Sequence, residues 1–327
     1  MIQIYLDWNI ITNLIKPEQI SNQVLQDEFL LLKGIFEHPD SKLIIPYSNA
    51  HLKDLMKSYK KGEIERVLDS LSYVSELTKN VCLAQYWNEK NAKWHLRDPI
   101  EFFNSMLQDN LDSLKSWEDV IQPLKKCGID KIFDIYKFQP HGMDFKEIEK
   151  YSPFFASLFP KARAKNTMYA VIQDIFDMLS KINSNPTVYK ELRKIFKDGL
   201  KIDSNISNLD NTIEQLDTYL PKTMLNKSFT ELCEINKNDN SKNKDYGKVI
   251  GIYMQLDFVG YNSDKLSDKN KYDNIFTDAL HCFYAAHCDF YLTNDNRNYK
   301  KSKAVYESEK IGTQVYKTKE FIDSLDQ

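Results

Sequence analysis

Apolar and polar positions follow one rhythm at the two ends of the chain and another in its middle. Ile2 to Leu6 is a short apolar run that stops at Asp7, the pattern of a buried parallel strand. Apolar residues then recur at helical spacing through Ile10, Ile11, Leu14 and Ile15 until Pro17 stops them. A second amphipathic stretch covers Val24 to Phe36. Lys42 to Pro46 reads as another buried strand, and Ser48 or Asn49 can cap a helix that puts Leu52, Leu55 and Met56 on one face. Near the other end, Tyr246 to Phe258 and Ile275 to His287 predict helices, Phe290 to Thr293 and Thr313 to Lys317 strands, and Lys319 to Leu325 a last helix. Right-handed crossovers would join both ends in one mostly parallel sheet.

Between about residues 60 and 245 strand-like runs disappear. Amphipathic stretches such as Ile64 to Leu77, Ile100 to Leu114, Met168 to Ile182 and Ile206 to Leu220 alternate with polar or proline breaks. The middle therefore reads as an all-helical insertion over 59–245, dividing a discontinuous domain of 1–58 and 246–327. Asn236 to Lys244 is polar and reads as a loop.

Composition narrows the function classes. At 327 residues the chain can bury a large core, and its 13% aromatic share is that of a folded protein. Lys and Arg number 44 against 47 Asp and Glu, a net charge of -3. A protein coating duplex nucleic acid carries a basic excess, so any nucleic-acid contact here must come from local patches, which suits a small RNA. The five cysteines are scattered with no C-x-x-C pair, so reduced, packed thiols in a cytoplasmic protein are expected. Neither a signal peptide nor a run of ~20 apolar residues is visible, so no membrane role is expected.

The candidate chemistry lies in the acids. In open α/β sheets ligands bind beyond the carboxyl ends of the strands, and Asp7 and Asp295 follow strands directly. Asp54 sits in the helix after the second strand, and Asp278 in the helix leading to Phe290. Carboxylates crowded into one cleft repel each other, and oxygen-only ligands suit Mg²⁺ or Mn²⁺. Such a site can activate water and stabilise the leaving oxygen of an in-line displacement at phosphorus. Each acid also suits a plainer role: Asp7 as a helix cap, Asp54 on an exposed helix face, Asp278 in a first turn, Asp295 in a turn.

These residues resemble the PIN-domain nucleases. Leu6-Asp7-Trp8-Asn9-Ile10-Ile11 is similar to that family's D-x-N start, and Ile45-Pro46-Tyr47-Ser48 with Asp54 to its second motif. Thr277-Asp278-Ala279-Leu280-His281 followed by Asp289 to Asp295 is similar to the D-A-x-H helix and T-x-D strand end of toxin-type ribonucleases. The resemblance covers under half of the chain. It implies a three-layer α/β/α PIN-like fold with a mostly parallel sheet. It also implies Mg²⁺- or Mn²⁺-dependent cleavage of single-stranded or structured RNA, leaving a 5′-phosphate and a 3′-hydroxyl, with Asp7, Asp54, Asp278 and Asp295 as ligands. By the same analogy a toxin, antiphage or RNA-processing role is expected, with room for an inhibitory or regulatory protein partner and for a homo-oligomer. Two departures stand out: the family's second acid is usually glutamate, and the minimal fold has no counterpart of the insertion.

Around the acids, Asn9, Ser48 and Thr293 are candidates to orient carboxylates or water, or to serve as ordinary caps. His281 could approach a phosphate or pack in the core. Arg297, Lys300, Lys301 and Lys303 could meet a phosphate backbone or form a solvated run, and Lys161, Arg163 and Lys165 make a similar cluster. Trp87, Trp94 and Trp117 could stack bases, though on helices such residues usually belong to the core. A haloacid-dehalogenase-like phosphatase also begins with strand and Asp, but Asn9 stands where it needs a second aspartate. A metal-poor scaffold binding RNA or protein is the non-enzymatic alternative. Neither a G-x-G-x-x-G nor a G-x-x-x-x-G-K-[ST] loop is present.

Overall fold

A computed structural model describes residues 1–38, 42–86, 88–108, 121–122, 125–126, 133–202, 211–223, 225–234, 244–268 and 270–325. Trp87, Trp117, Cys127, the polar stretch up to residue 243, the end of the helix expected from Ile100 and the start of that expected from Ile206 lie outside the described residues. The chain is mixed α/β and divides into two compact units, Met1–Leu107 with Ile202–Asp264 and Asn274–Gln327, and Gln108–Lys201 with Lys265–Asp273.

The first unit holds a four-stranded parallel sheet of order β2-β1-β6-β7, built from β1 (Ile2–Leu6), β2 (Leu43–Ile44), β6 (Phe290–Leu292) and β7 (Gln314–Tyr316). β1 lies between β2 and β6, with Ile4, Tyr5 and Leu6 fully buried, as expected of an apolar strand covered on both faces. Pairing of Leu6 with Leu292 puts the carboxyl ends of β1 and β6 side by side, and the Asp7 amide donates to the Leu292 carbonyl at 2.9 Å. This register closes a sequence separation of almost the whole chain, and it places the candidate site.

Three local readings need correction. The strand expected over Lys42 to Pro46 is split: β2 ends at Ile44, and β3 (Tyr47–Ser48) enters a second sheet of order β3-β4-β5. Pro46, between them, has no N–H to donate to a ladder. The middle of the chain is not all-helical, because β4 (Val81–Ala84) and β5 (Lys93–Leu96) pair antiparallel there. Val81-Cys82-Leu83-Ala84 is an apolar run preceded by Lys79 and Asn80 at positive φ, so a strand signal was present. Thirdly, the charged stretch after Asp295 is a helix, Asn296–Ser308, burying Asn298, Lys301, Ser302, Val305 and Tyr306. A crossover of this kind is what parallel β6 and β7 require.

The remaining ends match the periodicity closely: helices Trp8–Ile15, Gln23–Glu37, Asn49–Lys60, Ile64–Thr78, Tyr246–Val259, Tyr272–Ala285 and Thr318–Leu325. Ser48 caps Asn49–Lys60 in a capping box whose other half is the ring of His51. Cys82, Cys233, Cys282 and Cys288 are free and buried. No helix among the described residues is long and apolar enough to cross a membrane.

The second unit is described by helices alone, the longest being Met168–Ser184 and Pro186–Leu200. Leu158, Phe159, Ala162, Ala170 and Val171 form its core. The buried carboxylate of Asp174 accepts from the amides of Lys161 and Ala162, satisfying donors at the start of helix Pro160–Ala164. Lys161 and Arg163 are ion-paired with Asp177 and Glu149, so two members of that basic cluster already face carboxylates.

Candidate active site

Asp7 leaves β1 and caps helix Trp8–Ile15, its Oδ1 accepting from the Trp8 amide at 2.7 Å. Its Oδ2 accepts from the Asn9 amide group at 2.6 Å, the Thr293 hydroxyl at 2.5 Å and the Asn298 amide group at 3.1 Å. The helix cap and the candidate ligand are therefore one carboxylate. Asn9 and Thr293 orient it, and Asn9 Oδ1 also accepts from the Asn294 amide at 3.2 Å. Burial raises the carboxyl's pKa, opposed by His281 and the Thr293 hydrogen bond and reinforced by the charges of Asp54 and Asp295.

Asp54 behaves differently. Burial alone would raise it, but a hydrogen bond from His281 (Nε2 to Oδ2, 3.0 Å) and the Lys57 ammonium (Nζ to Oδ1, 2.6 Å) pull it down to about 2. Asp278, in helix Tyr272–Ala285, is raised well above the usual carboxylate range by burial, then by the charges of Asp264, Asp7 and Asp54, with Lys301 opposing. Asp295 is exposed and caps helix Asn296–Ser308 through the amides of Arg297 and Asn298, within electrostatic reach of Asp7.

The acids of the first 60 and last 80 residues thus share one electrostatic environment. No hydrogen bond among the described residues reaches the Asp278 carboxylate to favour its ionised form. Hard carboxylate oxygens under mutual repulsion are the type of donor that Mg²⁺ or Mn²⁺ takes. Among the described residues, however, no group of three or more His, Cys, Asp or Glu side chains is placed to hold a metal ion.

Several side chains stand elsewhere than expected. His281 is fully buried, with both ring nitrogens engaged by Tyr5 and Asp54, so it cannot touch a phosphate. Lys301 is also fully buried: its ammonium bridges Asp264 at 2.8 Å and Asp257 at 3.2 Å and lies over the Tyr253 ring. It is no phosphate contact. Arg297, about one-third exposed, leans toward Asp264 with Nη1 3.8 Å from Oδ1. Asp289, by contrast, flanks its own strand as an acid beside β6 should, accepting from the Gln3 main-chain N–H. Trp94 lies on β5, not a helix, and is 38% exposed.

Tyr5, His51, Asp264 and Asn298 are additions that sequence reading missed, and Lys301, expected at a phosphate or in solvent, is instead an internal counter-ion. Tyr5 and His51 sit in apolar or capping patterns that look purely structural. Asn298 and Lys301, one turn apart, become legible only once residues 296–308 are seen as a helix. Because Lys301 is the counter-charge of two buried acids, Lys301→Met is expected to destabilise the protein by about 3–5 kcal/mol, read as a lower urea midpoint. An unchanged midpoint would show that this ion-pair network does not hold the fold together.

Searches against protein families, curated proteins and solved structures returned no match to this chain.

Proposed function

We propose that the chain is a divalent-metal-dependent endoribonuclease with a PIN-like three-layer architecture, hydrolysing RNA phosphodiester bonds. The observation that carries this reading is the charge conflict at Asp278, a partly buried carboxylate repelled by Asp7, Asp54 and Asp264 and reached by no hydrogen bond among the described residues. Folding tolerates such conflict where function requires it, and perturbed acids in a cluster mark functional sites. Asp7, Asp54, Asp278 and Asp295 would hold Mg²⁺ or Mn²⁺. When bound, the ion supplies an activated water and stabilises charge developing on the phosphate. The protein's own groups contribute order: Thr293, Asn9 and Asn298 hold Asp7 in one orientation, and His281 with Lys57 keeps Asp54 ionised. Such an enzyme endangers its own cell, which favours a cytoplasmic toxin, antiphage or regulated RNA-processing role.

The test is cleavage of end-labelled single-stranded RNA with Mn²⁺ by wild type and Asp278→Asn. Wild type alone is expected to cut. Mn²⁺ at about 100 times its Kd is expected to stabilise wild type by about 2.7 kcal/mol and the variant far less. Equal cutting by both proteins would sink the assignment. A second reading, an RNA- or protein-binding scaffold without catalysis, is favoured by the lack, among the described residues, of such a group placed to hold a metal ion. RNA binding with no cutting at any metal concentration would select it.

A further inference from the structure

Ser48, Tyr5, His281 and Asp54 form an unbroken hydrogen-bonded chain. The Tyr5 hydroxyl lies 2.7 Å from Ser48 Oγ and 2.9 Å from His281 Nδ1, and His281 Nε2 lies 3.0 Å from Asp54 Oδ2. Ser48, Tyr5 and His281 are fully buried, so substrate reaches none of them. Packing limits rotation of the imidazole: its ring centroid is 4.8 Å from that of His51 and 5.8 Å from that of Tyr5.

Every arrangement of hydrogens that satisfies the link to Asp54 puts a proton on His281 Nε2. An ionised Asp54 only accepts, so His281 Nε2 must carry a proton. In a neutral ring Nδ1 is then a lone pair, and the Tyr5 O–H donates to it. The Tyr5 oxygen in turn accepts from the Ser48 hydroxyl. The opposite tautomer would set two lone pairs against each other at His281 and Asp54. The carboxylate's two oxygens are held unequally: His281 grips Oδ2 from the buried side, whereas Lys57, 35% exposed, grips Oδ1 and can swing into solvent.

We infer that Tyr5 and His281 are positioning residues that lock Asp54 in one orientation by presenting a single fixed N–H to Oδ2, leaving Oδ1 to exchange Lys57 for a divalent cation. The inference rests on the metal-dependent reading above and extends it to residues that touch neither ion nor RNA. Partners of this kind are worth about ten- to a hundredfold in metal affinity.

Two measurements test it. Ring-nitrogen NMR of the wild type is expected to show a proton on His281 Nε2; an Nε2 that carries none would overturn the chain. Mn²⁺ titration by calorimetry is expected to show a ten- to a hundredfold loss in Tyr5→Phe. His281→Gln, which keeps an N–H for Asp54, is expected to bind Mn²⁺ closer to wild type than His281→Met does. Unchanged affinity in a folded Tyr5→Phe protein, or equal losses in the two His281 variants, would overturn positioning, and the His281 pair decides the matter should Tyr5→Phe not fold. A wild type that binds no Mn²⁺ would instead overturn the metal reading and the positioning with it, leaving the NMR spectrum to judge the chain.

Discussion

Asp278→Asn is expected to melt at a higher temperature than wild type without metal, and to lose RNA cleavage by more than ~100-fold. The stability gain follows from the sign of the carboxyl's shift. A group whose pKa is raised on folding binds its proton more tightly in the native state, so its ionisation at neutral pH opposes folding. Burial and the charges of Asp264, Asp7 and Asp54 produce that opposition. Asparagine keeps the shape and removes the charge, and relief on the order of 1 kcal/mol corresponds to ~2–4 °C. The activity loss has the same origin, since a ligand to the ion contributes several kcal/mol of transition-state stabilisation and each ~1.4 kcal/mol is tenfold in rate. Calorimetry and a gel assay on one preparation suffice. A variant that melts lower and cuts normally would make Asp278 a structural acid.

Mild acid is expected to destabilise the protein through His51. Its Nε2 lies 2.7 Å from the Leu6 carbonyl, and its Nδ1 accepts from the Ser48 amide at 3.0 Å, an arrangement only the neutral ring can satisfy. Burial and the neighbouring His281 push it down to about 3. His287, whose Nε2 accepts from the Ala92 amide, is lowered by burial to about 4. Both folded values lie below the unfolded one near 6.5. As pH falls below ~6.5 the unfolded chain takes up protons that the native state refuses, so stability drops until about pH 3 to 4. Full proton uptake by the unfolded chain alone corresponds to about 5 kcal/mol at His51 and about 3 kcal/mol at His287. Asp54 continues the trend: held at about 2 when folded, it contributes stability above ~4 that is lost as pH falls toward 2. Protonation of Asp7 and Asp278 works in the opposite direction. The histidine effect is therefore read as a difference between wild type and His51→Gln, in which glutamine preserves the capping box. Between pH 6 and 4 the wild-type stability is expected to fall more steeply, by up to ~1.4 kcal/mol per pH unit. Parallel curves would mean that His51 titrates normally.

Local chemistry was readable without coordinates wherever a residue's role depends on its neighbours in sequence. The apolar run Ile2 to Leu6, the stop at Pro17, the cap at Ser48 and the strand at Phe290 all came from spacing and side-chain shape, and each has its place in the fold. So did the candidacy of Asp7, Asp54, Asp278 and Asp295, since strand ends and helix starts are where acids can gather. Errors arose where two signals competed. In Lys42 to Ser48 a continuous apolar run hid the break at Pro46. After Asp295, the density of charge masked the apolar stripe of Val305 and Tyr306.

Only tertiary structure decided which acids share a field and what answers it. Pairing of Leu6 with Leu292 carries Asp7 to Thr293 and Asn298, contacts with no trace in local sequence. Burial then separates residues of one type: Lys301 becomes an internal counter-ion and Lys300 stays at the surface, while Asp54 is held ionised and Asp278 is pushed toward its neutral form. Sequence carries the propensity and the charge of each group. The strength of a charge depends on how much water surrounds it and which charges stand near it, and both are set when distant segments pack.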